Sequence, residues 1–280
     1  MKRGNLTMLF NRVLIAGLGV LLSACGGGAE VSPSVARIQA KSLRYGQLAV
    51  IYVIGKYMRN DMIVDTGTCT SPTFTSASTP DLAILNCKVN TTGPFPISIK
   101  AANGSALYSD TLTVLQPQVT LTTSQGSIVM ELNPDVVPVT VNNFLQYVNS
   151  GFYQTTLFHR VIAGFMIQGG GYTAGLIQQA GLGTPIALES NKGLSNIRST
   201  VAMARTTDPN SATSQFFINL VDNTFLNYQS AASPGYAVFG KVIQGMDVVD
   251  AIAALPTGTI SGVADVPVTD ITISSAAQTQ

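Results

Sequence analysis

The stretch Phe158-His159-Arg160-Val161-Ile162-Ala163-Gly164-Phe165-Met166-Ile167-Gln168-Gly169-Gly170 sets one arginine among large apolar side chains. Side chains alternate faces along a strand. The spacing therefore predicts Phe158, Arg160 and Ile162 on one side of a strand, a turn at Ala163-Gly164, and a second strand carrying Phe165, Met166 and Gln168. A guanidinium then stands beside an aromatic-lined hollow, which offers a fixed planar cation next to a dry pocket. His159 is the only histidine, and no serine or cysteine motif accompanies it to form a nucleophile and its base. It is expected to be a structural histidine, hydrogen-bonded near the site. Gly169, Gly170 and Gly171 lack the Lys-Ser/Thr of a phosphate-binding loop and are expected to make a tight turn.

Further segments follow: Met203-Ala204-Arg205, Ser214-Gln215-Phe216-Phe217-Ile218-Asn219, Asn223-Thr224-Phe225-Leu226 and Gly235-Tyr236-Ala237-Val238-Phe239-Gly240-Lys241-Val242. In their order and spacing these resemble the cyclophilin family of peptidyl-prolyl cis-trans isomerases, over roughly Gln118 to Ser275. The resemblance implies a mainly β fold, a closed barrel with two capping helices, and an enzyme that needs no cofactor or metal. It assigns Arg160 as the catalytic arginine, which contacts the substrate carbonyl and prolyl nitrogen. Gln168 and Gln215 would orient that arginine and the substrate backbone. Phe165, Met166, Phe217 and Leu226 would hold the proline ring, and Ala204 and Arg205 would lie on the strand whose backbone pairs with the residue before proline. Arg205 stands where many cyclophilins have asparagine, a change that a main-chain contact should survive. Phe225 replaces a tryptophan that binds cyclosporin in many eukaryotic members, and Tyr236 replaces a common histidine. Both belong to the substrate-binding set and resemble the exported bacterial branch. Proline binding should persist and cyclosporin binding should weaken.

The implied chemistry suits such a site. Rotation about a prolyl bond faces a barrier of ~18–20 kcal/mol from amide conjugation, and uncatalysed it takes tens to hundreds of seconds. It calls for no proton transfer, only stabilisation of a deconjugated nitrogen in the twisted transition state.

The elements that must position these residues read as follows. Val119 to Thr123 and Ile128 to Leu132 flank a hairpin signal at Ser124-Gln125-Gly126-Ser127. Val141, Phe144, Leu145 and Val148 form the apolar stripe of a helix, closed by Gly151 in a left-handed cap. A second helix is predicted over Gly245 to Ala254, with Met246, Val249 and Ala253 inward, and a final strand over Asp270 to Ser274. Ahead of these, residues 35–116 read as short strands: a nearly continuous apolar run from Leu48 to Ile54, then alternation at Leu85, Cys87, Val89, at Ile97-Ile99 and at Leu112-Val114. This pattern predicts a small immunoglobulin-like β-sandwich, without the tryptophan that antibody-type domains pack on their disulfide. Gln116-Pro117-Gln118 is the expected boundary with an isomerase domain over 118–275.

At the amino terminus Lys2, Arg3 and Arg12 precede the apolar run Val13 to Leu22, too short for the about 20 residues that span a bilayer. Leu22-Ser23-Ala24-Cys25-Gly26 is similar to the lipobox of bacterial lipoproteins, the alternative being an ordinary secretory cleavage site. Residues 1–24 are thus expected to be a signal peptide, Cys25 the lipidated residue and 25–34 a tether. Cleavage before Cys25 would remove three positive charges and take the formal charge from +1 to −2. Several acyl chains on one cysteine anchor firmly, at ~0.8 kcal/mol per buried CH₂. Gly26 rather than Asp after the cysteine favours the outer membrane by resemblance to enteric lipoproteins, with the folded part in the bacterial periplasm. In that oxidising compartment Cys69 and Cys87 are expected to pair, free buried thiols being the alternative. Zinc would need about four ligands, which this region does not offer. With 10% charged residues, nucleic acid is excluded as a partner. The expected partners are X-Pro segments of exported proteins, the membrane through Cys25, and a protein docking on the sandwich. Two other readings stand beside catalysis: a proline-segment binding module or holdase, and an envelope lipoprotein without significant turnover.

Overall fold

The computed structural model describes residues 31–67, 69–75 and 78–280. The expected signal peptide, Cys25 and most of the tether lie outside the described residues.

Seven antiparallel strands come first: β1 (Ser34–Ala40), β2 (Leu48–Lys56), β3 (Ile63–Asp65), β4 (Cys69–Phe74), β5 (Leu82–Val89), β6 (Gly93–Lys100) and β7 (Ala106–Val114). They form two sheets, ordered β1-β2-β5-β4 and β3-β6-β7. Alternation is the cause: Ala49, Ile51, Val53, Leu85, Cys87 and Val89 on one sheet and Phe95, Ile97 and Ile99 on the other are buried, while their neighbours along each strand are more exposed. A disulfide joins Cys69 to Cys87 on adjacent strands of one sheet, with Cα atoms 5.6 Å apart.

After Pro117 the chain forms β8 (Gln118–Thr123), β9 (Gly126–Leu132), α1 (Pro138–Asn149), β10 (Phe158–Ile162), β11 (Met166–Gly169), a short ribbon of β12 (Tyr172–Thr173) and β13 (Ile177–Gln178), β14 (Thr200–Met203), β15 (Phe216–Asn219), β16 (Val238–Gln244), α2 (Met246–Ala253), a hairpin of β17 (Thr257–Ile260) and β18 (Val263–Pro267), and β19 (Ile273–Gln278). Eight of these strands make one antiparallel sheet, ordered β10-β11-β15-β14-β16-β9-β8-β19. Its two ends are joined: Phe158 N–H donates to the Ile271 carbonyl at 2.9 Å and Ile273 N–H to the Thr156 carbonyl at 2.7 Å, beside a bridge between Leu157 and Thr272. The sheet thus closes into a barrel. Phe144 of α1 plugs it, with its ring centroid 5.6 Å from Phe216 and 4.9 Å from Phe239.

α1 starts at Pro138, whose fixed φ suits a first helical position. Its free N–H groups are met from a distance, because the buried Glu189 accepts from Val139 N–H at 3.3 Å and from Thr140 N–H and hydroxyl at 2.8 and 2.7 Å. Gly151 takes φ 73° just past the C-terminus, the expected cap. In α2 the buried positions are Val249 and Ile252. Met246 and Ala253, predicted inward, are only partly buried against the core, since an eight-residue helix has room for one full i, i+3 contact. The last strand begins at Ile273 and runs to Gln278, later than the expected Asp270 to Ser274.

Pro33–Gln280 form one unit, and the first strands pack on the barrel. Gln278 of β19, nearly buried, donates to the Tyr45 carbonyl at 3.1 Å and accepts from Gln47 at 2.8 Å. On the other side Asp135 accepts from Thr92 at 2.5 Å and from Gln116 at 2.7 Å.

Candidate active site

One run of register on the outer face of the barrel builds the site. Arg160 of β10 stands opposite Gln168 of β11, Gln168 opposite Phe217 of β15, Phe217 opposite Ala202 of β14, and Ala202 opposite Val238 of β16. Directly paired residues share a face, so a cation, an amide and an apolar floor lie in one line across five strands. Met166, Ala202, Phe217 and Val238 form their own buried cluster, separate from the barrel core, with Phe165, Ala204, Leu226 and Tyr236 packed against it. Such a second apolar cluster outside a closed barrel is what a ligand pocket needs.

Phe158 departs from expectation. The register shifts between Phe158 and Arg160, so a β-bulge turns Phe158 into the core while Arg160 and Ile162 stay outside. Phe158 is 1% exposed, and its ring lies edge-on to Phe216 at 5.9 Å.

The cleft has a volume of about 320 Å³ and is lined by Arg160, Phe165, Met166, Gln168, Ala204, Arg205, Phe217, Leu226 and Tyr236. Gln215 supports it through Gln168, whose amide donates to the Gln215 Oε1 at 2.9 Å. Phe225 is 63% exposed at the rim, where its ring stacks on Phe165 at 5.8 Å. Ala204 and Arg205 lie beyond the end of β14, although Ala204 N–H still donates to the Gln215 carbonyl at 2.9 Å. Leu226 and Tyr236 bracket a loop and are tied together by the Tyr236 N–H, which donates to the Leu226 carbonyl at 2.9 Å.

One charged neighbour of Arg160 was missed in the sequence. Asp265 of β18 places a carboxylate oxygen 3.6 Å from Arg160 Nε. Its hairpin was legible, since Ser261-Gly262 between Ile260 and Val263 is a two-residue turn with both φ values positive, 51° and 81°. That β17–β18 would lie against β10, some hundred residues earlier, was not written in any local pattern. The exposed pair contributes little to stability; it lies at Nε, and among the described residues no hydrogen bond occupies the terminal amino groups of Arg160, a residue that lines the cleft.

His159 is buried and its ring meets Tyr172 edge-on at 4.7 Å. Burial pulls its pKa from the usual 6.5 to about 4, with the charge of Arg160 acting in the same direction and hydrogen bonding by the Leu157 backbone and Gln215 opposing. Among the described residues the buried Nδ1 of His159 has no hydrogen-bond partner, so at that atom the expected hydrogen bond is replaced by packing. Gly170, at φ 81°, has the rings of Tyr153 and Phe216 where a Cβ would be, 2.7 and 3.0 Å away, consistent with a tight turn rather than an anion cradle. Among the described residues no cluster of three or more His, Cys, Asp or Glu could hold a metal ion.

The family model for cyclophilin-type peptidyl-prolyl cis-trans isomerases matches residues 118–278. Among curated proteins, the chain is 56% identical over 160 residues to peptidyl-prolyl cis-trans isomerase cyp18 of Streptomyces antibioticus, covering 56% of this chain and 96% of that protein. It is 53% identical over 159 residues to peptidyl-prolyl cis-trans isomerase B of Escherichia coli, again 56% of this chain and 96% of the relative. It is 50% identical over 158 residues to peptidyl-prolyl cis-trans isomerase A of Dickeya dadantii, 56% of this chain and 82% of the relative.

Proposed function

Because the chain belongs to the cyclophilin-type peptidyl-prolyl cis-trans isomerases, we propose that the Arg160 cleft rotates X-Pro bonds in exported proteins and so assists their folding outside the cytoplasm. The observation that carries this reading is the register line Arg160–Gln168–Phe217, which sets a guanidinium beside an apolar floor in one cleft.

The geometry suggests how the chain's own residues divide the work. Met166, Phe165, Phe217 and Leu226 offer the proline ring a dry seat, the gain being about 25 cal/mol per Å² of apolar surface removed from water. Arg160, with Asp265 3.6 Å from its Nε, presents its amino groups to the substrate carbonyl and prolyl nitrogen. As the bond twists, conjugation is lost and the nitrogen lone pair becomes an acceptor, so a fixed donor binds the twisted state more strongly than the planar one. Gln168, braced by Gln215, orients the arginine and the substrate backbone. Ala204 and Arg205 supply main chain for the residue before proline, and Phe225 and Tyr236 border the seat. No cofactor takes part.

In this reading Cys25 carries lipid and anchors the protein in the bacterial envelope, with outer-membrane retention favoured by Gly26. The two sheets of residues 34–114 act as an immunoglobulin-like β-sandwich, spacing the isomerase from the membrane or docking a protein partner. The decisive experiment is turnover of a short X-Pro peptide by the full chain and by Arg160→Ala. Loss in a folded variant supports the assignment, and equal activity removes Arg160 from the mechanism.

A further inference from the structure

The two arginines of the cleft differ in how their charge is met. Arg160 has Asp265 at 3.6 Å. Arg205, among the described residues, has no carboxylate within ion-pair distance. Its guanidinium instead lies over the Tyr236 ring, 4.6 Å from the centroid. Nε donates to the Gly235 carbonyl at 3.0 Å and Nη1 to the Thr206 carbonyl at 2.8 Å. The nearby Asp208 accepts from the Asn210 N–H at 2.9 Å rather than from Arg205. Neutral carbonyls and a ring face fix the planar fork without cancelling its charge. Among the described residues Nη2 has no hydrogen bond.

Arg205 and Tyr236 line the same cleft as the apolar floor. A peptide whose proline rests on Met166 and Phe217 therefore passes, on its Arg205 side, a preorganised and uncompensated cation. We propose that Arg205 is a specificity-determining residue that favours X-Pro segments carrying an acidic side chain immediately before proline and disfavours those carrying a basic one. The inference rests on the isomerase reading above. The contact acts on bound substrate whether planar or twisted, so it should change KM more than kcat. A half-exposed ion pair is worth a few-fold, and attraction and repulsion together should separate Glu-Pro from Lys-Pro by about fivefold in kcat/KM.

The test uses the full chain and three short peptides with Glu, Gln or Lys before proline, assayed at low salt and at about 0.5 M salt, where exposed charges are screened. The expected order is Glu over Gln over Lys, carried by KM and compressed by salt. Arg205→Gln should erase the order, while Arg205→Lys, which keeps the charge but not the fork, should retain its direction. Equal turnover of the three peptides by the parent, or an unchanged order in Arg205→Gln, overturns the proposal. If the folded parent turns over none of them, the isomerase reading fails, and equilibrium binding of the same peptides still decides the charge preference: Glu tighter than Lys sustains it, and equal affinities overturn it.

Discussion

At the scale of single residues, two groups stand out: the Arg160 cation and the buried His159. His159 has a folded pKa of about 4 against an ordinary 6.5. Between those values the unfolded chain binds a proton that the folded one refuses, so stability is full above pH 6.5 and declines as pH falls toward 4. The loss from this group is roughly 3 kcal/mol at most. Urea midpoints measured from pH 7 to pH 4 should fall for the parent and fall less for His159→Gln; a parent more stable at pH 4 than at pH 7 would contradict this. The family resemblance, carried by motif order, singled out Arg160, Gln168, Met166 and Phe217, which line one cleft; residue type alone would not have told Phe217 from core packing. Asp265 was not legible, because its partner is set by tertiary folding alone.

At the scale of elements, alternation predicted the strands but not the bulge that turns Phe158 inward and leaves Arg160 outside. A bulge adds one residue to a ladder and has no compositional mark when it falls between apolar side chains. The loop from Leu226 to Tyr236 is pinned by Gly235, at φ 63°, where a Cβ would stand 2.6 Å from the Leu226 carbonyl oxygen and the Tyr228 nitrogen. Backbone cannot yield as a side-chain tip can. Gly235→Ala should therefore shift Leu226 and Tyr236, raising KM for X-Pro peptides, and should lower the unfolding midpoint as well, because an alanine at this positive φ is strained against fixed backbone. A variant with parental KM would show that the rim of the cleft does not depend on this turn.

At the scale of the whole molecule, the strands of residues 34–114 were legible from their alternation, whereas their packing on the barrel was not, since it depends on polar groups such as Gln278 that carry no periodic signal. One buried apolar cluster includes Ile51 and Leu85 from the first sheets as well as Phe144 and Phe239 from the barrel. Gln278→Ala leaves the Tyr45 carbonyl and the Gln47 amide without their partner, an expected loss of about 1–3 kcal/mol in urea unfolding, with peptide turnover at the parental level. Unchanged stability would mean that water replaces those contacts. The most direct test that the Arg160 cleft carries the activity is prolyl isomerisation of a short X-Pro peptide by the full chain alongside Arg160→Ala, with circular dichroism confirming both folds. The account predicts an active parent and a folded variant slower by about 10²–10³, the effect of removing one preorganised donor. A folded variant as fast as the parent would contradict it.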